Sequence, residues 1–403
     1  MTVYGKEGHT TVDHLHTREM VLNMGPSHPA MHGTVKMILT LDGETIKDAD
    51  IHVGYLHRGF EKMCEEQTWN QVMPYTDRLN YSSPLINNMG YAMAVEKIAG
   101  IEITPRCRWI RTLASELSRV TDHITCIGAQ ALELAAYSPF LYGVEARELL
   151  YQLIEELTGA RLTVSYARIG GLRHDLTDTF EAHYRERLPR IHQLMEDVHR
   201  LLTKNRIYYD RMAGTGVISA EDAIDYGFSG PVLRSTGVAY DVRKNAPYLA
   251  YGDVDFEVPV GSEGDNYDRY LIRVEEVKQS LSIIDQCFKN MPDGPVNIED
   301  WNVVLPPKEE VYNTIEGMIA HFKIIMHGSD IPEGEAYSYV EGANGELGFY
   351  VVSDGGRGPY KMHVRGPSLH LMQGIHEMML GGMIADLVPT FDSINMIGGE
   401  IDR

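Results

Sequence analysis

RWIRTLASELSRVTDHITCIGAQALELAA, residues 108–136, is the stretch that decides the architecture. Ile110, Leu113, Leu117, Val120, Ile124, Ile127, Ala131 and Leu134 recur at steps of three and four, which is the period of an α-helix. The spacing predicts one long amphipathic helix from Arg108 to Ala136, closed by Ser138-Pro139. Its apolar stripe is wide, as suits a helix buried in a bundle. Glu145 to Thr158 and Thr179 to Lys204 carry the same period, with Gly170-Gly171 marking a loop between them. Residues 57–225 therefore read as a helical bundle.

On the N-terminal side, residues 19–56 read as a β region. The run Val35, Met37, Ile38, Leu39, Leu41 ends in the turn dipeptide Asp42-Gly43, and a second run follows from Ile46 to Val53. Gly25-Pro-Ser-His-Pro-Ala-Met-His-Gly33 is barred from regular structure by its prolines and glycines and must be a loop. Residues 1–18 are polar and His-rich and read as a flexible arm, with His9, His14 and His16 as weak metal candidates. On the C-terminal side, residues 226–403 are mixed. A helix is expected from Asp268 to Asn290 and another from about Glu309 to Met326. Tyr337-Ser-Tyr-Val-Glu341 and Gly348-Phe-Tyr-Val-Val-Ser353 alternate like paired strands. The fold class is α+β.

A chain of 403 residues exceeds a single core, which stops growing near ~250–300 residues, so two or three packed subdomains are expected. Asp and Glu number 57 against 36 Lys and Arg, a formal net charge of −21. Such a chain repels phosphate backbones and anionic lipid, which excludes nucleic acid as a partner and predicts membrane association through another protein. No stretch has the ~18 consecutive apolar residues of a membrane span, and Leu369 to Val388 is broken by His370, Gln373, His376, Glu377 and Asp386. The N-terminus lacks the pattern of a secretory signal. Cys64, Cys107, Cys126 and Cys287 are scattered without a C-x-x-C pair, so the chain carries no zinc or iron–sulfur ligand set of its own, and reduced thiols on the cytoplasmic side are expected.

A few residues could carry chemistry. His28 and His32 are four apart, but Pro29 forbids the helix that would make this a metal pair. The loop either presents imidazoles that exchange protons near neutral pH or is pinned by them through hydrogen bonds. Tyr81 is either a phenol reaching into an apolar pocket or one of 23 packing tyrosines. Asp122 and Glu133, eleven residues apart, lie three turns plus about 20° from each other and share one side of the long helix. They are either buried carboxyls able to hold protons, a solvated stripe, or partners of Arg119 or Arg111. Gly170-Gly171 and Gly355-Gly356 fit no phosphate-binding motif.

Asn23-Met-Gly-Pro-Ser-His-Pro-Ala-Met-His-Gly33 resembles the N-terminal signature of one family. It is the 49-kDa-type subunit (the D subunit) of proton-pumping NADH:quinone oxidoreductase, respiratory complex I. His52-Val-Gly-Tyr-Leu-His-Arg-Gly-Phe-Glu-Lys62, Pro74-Tyr-Thr-Asp-Arg-Leu-Asn-Tyr81, Ala94-Val-Glu-Lys97, Glu116-Leu-Ser-Arg119, Tyr166-Ala-Arg-Ile-Gly-Gly171, Gly237-Val-Ala-Tyr-Asp-Val-Arg243, Val352-Ser-Asp-Gly-Gly356 and Gly399-Glu-Ile-Asp-Arg403 agree in the same order. The resemblance spans residues from about 20 to 403.

That resemblance implies a fold similar to the large subunit of nickel–iron hydrogenases, with an N-terminal β region, a central helical bundle and a C-terminal α/β part. Hydrogenases hold nickel with two C-x-x-C pairs. The matching positions here are Asn80, Ser83, Ile397 and Glu400, none of them cysteine, so hydrogenase activity is not expected. The vacated cavity is expected to end a quinone tunnel. His32 and Tyr81 are the expected headgroup pair, with His28 and Met31 lining the site and a carboxylate on the central helix, Glu133 here where many relatives have Asp, pairing with the histidine. Arg58 and Arg78 match arginines near a 4Fe-4S cluster held by a neighbouring subunit. Thr163 stands where many relatives have histidine, an exchange expected to make that cluster harder to reduce and to suit a low-potential quinone such as menaquinone. Quinone is then the substrate, and the chain itself binds no cofactor. The expected partners within the complex are the iron–sulfur B subunit, the C and I subunits and the membrane-embedded H subunit, on the cytoplasmic face of the inner membrane. Two readings compete: the same subunit serving a ferredoxin-type donor, and a non-catalytic docking scaffold.

Overall fold

The computed structural model describes residues 3–4, 10–11 and 19–403. His9, His14 and His16 lie outside the described residues, as does most of the expected arm; the backbones of Val3–Tyr4 and Thr10–Thr11 pair antiparallel.

β1 (Glu19–Met24), β2 (Lys36–Asp42) and β3 (Thr45–His52) form an antiparallel sheet in the order β1-β2-β3. Met37, Leu39 and Leu41 alternate toward the core at the two-residue period of a strand, and Gly43 takes the positive φ of 65° that the turn between β2 and β3 requires. The alternation is the reason one face of this sheet needs a partner, and the partner comes from far along the chain. Met24, Met31, Met37, Leu39, Leu41 and Ile46 share a core with Leu371, Ile375, Met379, Leu387, Phe391 and Ile401.

The long helix begins three residues earlier than its periodicity predicts, at Pro105, because Thr104 caps it by accepting from the Cys107 N–H. It ends at Glu133. Ala135 takes a φ of 60°, and the next helix, Tyr137–Thr158, opens with Ser138 and Pro139 in its first turn. The expected stop signal is therefore a start signal. A proline in a first turn has no helical N–H bond to lose, so it is tolerated there. The helix expected from Glu309 to Met326 divides into Lys308–Asn313 and Ile315–Met326 at Thr314, whose extended backbone and hydroxyl cap the second piece.

Against the long helix pack Pro84–Ala99, Tyr137–Thr158 and Asn266–Asn290, and Phe180–Leu202 packs in turn on Tyr137–Thr158. β4 (Gly334–Glu341), β5 (Glu346–Ser353) and β6 (Lys361–Arg365) form a second antiparallel sheet, and β4 and β5 lie against Pro84–Ala99. Bundle and sheet share one core that includes Leu113, Leu117, Val340, Phe349 and Val364. A third, small cluster joins Ile127 and Ala131 to Tyr208, Met212 and Tyr270.

The bundle interior also holds charge. On the long helix, Glu116 receives Arg243 and Arg119, and the Tyr251 hydroxyl donates to it at 2.5 Å. Arg234 bridges Glu276 and Glu341, and the His123 Nε2 meets Glu276 at 2.6 Å. All of these side chains are buried. Each of these charged side chains has an opposite partner, which is the condition for keeping its charge out of water.

Candidate functional site

The loop after β1 is folded down on itself. At Gly25, with φ 86°, a Cβ would fall 2.3 Å from the Val35 carbonyl oxygen and 2.9 Å from the Met31 side chain, so only glycine fits. Pro29–Met31 form a single 3-10 turn, capped by His28, whose Nδ1 accepts from the Ala30 N–H at 3.2 Å. His32 closes the turn at a φ of 53°. Met31 is fully buried and anchors the loop from beneath, while His28 and His32 are exposed. The His32 ring meets Phe391 edge-on with centroids 6.0 Å apart.

Tyr81 lies in the turn between helices Trp69–Thr76 and Pro84–Ala99 and is 44% exposed. Partial burial, reinforced by the charge of Asp122, raises its phenol pKa above the ordinary value. The hydroxyl thus keeps its proton at neutral pH and stands ready as a hydrogen-bond donor. Beneath it, Asp122 is buried and is paired neither with Arg119 nor with Arg111, which bind Glu116 and Glu96 instead. Asp122 accepts from Asn80 Nδ2 at 2.8 Å, Ser83 Oγ at 2.7 Å and Asn395 Nδ2 at 2.7 Å.

Asn80, Ser83, Ile397 and Glu400, the positions expected to answer to hydrogenase cysteines, come together here. Asn80 and Ser83 share Asp122, and Asp122 in turn acts on Glu400. The Ser368 hydroxyl donates to Glu400 and lies 3.5 Å from the Ile397 nitrogen. Burial, with help from Asp122, lifts the Glu400 carboxyl to about 7. This donor set of amide, hydroxyl, carboxyl and alkyl groups does not fit a thiolate-held nickel centre. Among the described residues, no group of three or more His, Cys, Asp or Glu side chains is placed to hold a metal ion.

The stretch 395–400 runs as a seam between the two loops. On one side, Gly398 packs so tightly that a Cβ would meet Thr34 at 2.7 Å, and the Thr34 hydroxyl faces Met396 Sδ at 3.9 Å. On the other, a Cβ on Gly399 would fall 2.4 Å from the Arg78 carbonyl oxygen and 2.7 Å from that of Leu79. Arg58 ties the same seam by donating to the carbonyls of Gly399 at 2.9 Å and Arg78 at 3.2 Å. Burial lowers the Arg58 pKa. Arg78 donates to the Pro74 carbonyl. Next to it, Asp77 accepts from the Ser165 hydroxyl at 2.6 Å, which brings the exposed Thr163 segment to this face.

Glu133 ends the long helix half-buried, and no ion pair joins it to His32 among the described residues. It faces Asp392 instead, a carboxyl raised to about 8 by burial first and the Glu133 charge second. Asp392, Asn344, Ser368 and Asn395 are site residues that the sequence reading missed. The only signal for Asp392 is that it is the one charged residue in the stretch Val388–Met396. The other three are ordinary polar residues until the chain folds.

Among the described residues, no helix is long and apolar enough to cross a membrane. Residues 133–403 match the sequence profile of the family described as "Respiratory-chain NADH dehydrogenase, 49 Kd subunit". The chain is 53% identical over 397 residues to the D subunit of NADH-quinone oxidoreductase from Myxococcus xanthus (strain DK1622), covering 97% of this chain and 94% of that protein. It is 52% identical to the protein of the same description from Pelobacter propionicus (strain DSM 2379 / NBRC 103807 / OttBd1), with 95% of each covered. To that of Geobacter sulfurreducens (strain ATCC 51573 / DSM 12127 / PCA) it is 46% identical, covering 96% of this chain and 99% of the relative.

Proposed function

The chain belongs to the family of the 49-kDa subunit of respiratory-chain NADH dehydrogenase, and from that premise we propose that the seam between the His32 and Tyr81 loops is where quinone is reduced. It is an oxidoreductase subunit of complex I, and its partners are other subunits of that complex. What supports the site assignment above all is Tyr81, a half-exposed phenol held in its protonated form over a buried, fully engaged Asp122.

A quinone reduced by two electrons gathers two negative charges on its oxygens unless protons arrive. Tyr81 donates to one oxygen from the fixed turn between its helices, and His32 donates to the other from the loop that Met31 and His28 hold in place. Asn80, Ser83 and Asn395 lock Asp122 and thereby the floor beneath Tyr81. Glu133 carries the carboxylate of the site on the last turn of the long helix. An iron–sulfur cluster of a neighbouring subunit supplies the electrons when the complex is assembled. Arg58, Arg78 and Thr163 form the face turned to it, and their polar environment sets its charge surroundings. The subunit sits peripherally at the membrane, held by the complex.

Replacing Tyr81→Phe in the assembled complex removes one donor and nothing else. Quinone reductase activity is expected to fall by roughly 10²-fold, the usual worth of a positioned general acid. Unchanged activity with native and short-chain quinones would sink the assignment and favour a docking scaffold.

A further inference from the structure

Asp392 is a buried carboxyl with no ion-pair partner among the described residues. It is 6% exposed, and its Oδ2 is sealed from solvent without a hydrogen bond. The groups around it come from four elements. From the long helix, the Cys126 thiol donates to the Asp392 carbonyl at 3.6 Å and Glu133 places its charge on the carboxyl. From Asn266–Asn290, Arg269 is turned away onto Asn266, Ser393 and the carbonyls of Gly216 and Gly264, and Arg273 acts on Cys126. From the N-terminal loop, His32 lies against the adjacent Phe391. On its own helix, Asp386 is paired with Arg211. Among the described residues no cation therefore pairs with Asp392, and an isolated buried carboxylate is too costly to persist, so the neutral acid is the resting form.

The facing side of the long helix is built to match. Cys126, Gln130 and Glu133 follow at steps of four and three and line one stripe. Gln130 is fully buried, and neither of its amide atoms has a hydrogen-bond partner. The uncommitted amide of Gln130 thus lies on the stripe between Cys126, whose thiol holds the Asp392 carbonyl, and the carboxylate of Glu133.

We propose that Asp392 and Glu133 hold one proton between them in the resting subunit, and that Asp392 acts through Glu133 as a positioning residue that keeps this proton in reserve beside the His32 loop. The proposal rests on the quinone-site reading above. Reduction of a quinone to a quinol takes up two electrons, supplied by the reduced iron–sulfur carrier of the complex, and two protons. Drawing on the reserve breaks the Asp392 O–H bond and forms an O–H bond on Glu133. It leaves Asp392 as an anion, which regains a proton from solvent.

The test is an infrared pH titration of the assembled complex without quinone, read at the carbonyl band of protonated carboxyl groups. The wild type is expected to lose such a band with a midpoint at about 8. Asp392→Asn removes the band. Glu133→Gln takes away the negative neighbour and moves the midpoint to lower pH. In turnover, Asp392→Asn is expected to abolish the high-pH fall in activity, and Asp392→Glu to restore a titrating limb. A band unchanged in Asp392→Asn, or a pH profile superimposable on the wild type, overturns the proposal. If the asparagine variant does not assemble, the Glu133→Gln titration decides alone, and an unmoved midpoint overturns it. Because this titration needs no quinone, it can fail while the Tyr81 test succeeds, and the reverse.

Discussion

Glu400 shows what burial does to a single side chain at this site. Its carboxyl rises from 4.5 to about 7, chiefly because the folded chain withholds water from the anion. A raised carboxyl pKa means that the folded state holds the proton more tightly than the unfolded one. The contribution to stability is therefore full below about pH 4.5 and is lost as pH climbs through about 7. Glu400→Gln removes this dependence. Variant and wild type, melted in parallel across that window, are expected to diverge in favour of the variant as pH rises, by about 3 kcal/mol in all. A gap that stays constant with pH would mean that Glu400 titrates like an exposed acid. The chemistry of such residues was only partly legible beforehand. The eleven-residue spacing put Asp122 and Glu133 on one side of a helix correctly, because helical periodicity is local. It could not tell that Asp122 is satisfied by Asn80 and Asn395 and not by arginine, because those partners stand 42 and 273 positions away.

At the level of elements, the seam 395–400 depends on backbone approaching backbone. Gly399→Ala would drive a methyl group into two carbonyl oxygens that belong to the Tyr81 turn. Neither oxygen is the free end of a flexible side chain, so the strands of chain must part, at a cost of about 1–3 kcal/mol. The variant is expected to lower the melting temperature and quinone reductase activity together, since the displaced backbone leads directly into Asn80 and Tyr81. Full activity with a normal melting temperature would show that the seam yields freely. The sheet of β1, β2 and β3, the hairpin of β4 and β5 and the central helix were readable from alternation and periodicity. Helix ends were less so. Ser138-Pro139 stops a helix or starts one depending on whether the chain has already turned left-handed a few residues earlier, and Ala135 does so without being a glycine.

Across the whole molecule, apolar surface is unevenly spent. The helix Ile315–Met326 turns Ile315, Met318, Phe322, Ile325 and Met326 outward, with Phe322 62% exposed. A contiguous greasy face of this kind is unusual on a protein that lives alone. The isolated chain is expected to bind an apolar dye and to self-associate, and Phe322→Glu with Ile325→Glu to reduce both. Dye binding that is absent in the unmodified chain, or indifferent to those changes, would count against this. The interleaving of the second core has a temporal side as well. His376 grips the Ala49 carbonyl across 327 residues, and the core that the inward face of β2 enters is not complete until Leu371, Ile375, Met379, Leu387 and Phe391 are in place. At roughly 5–20 residues per second of translation, that face waits on the order of 15–65 s for its cover. During that interval the nascent polypeptide displays a half-finished sheet to the cytosol, which makes the ribosome exit, and the chaperones that gather there, a stage in building this site.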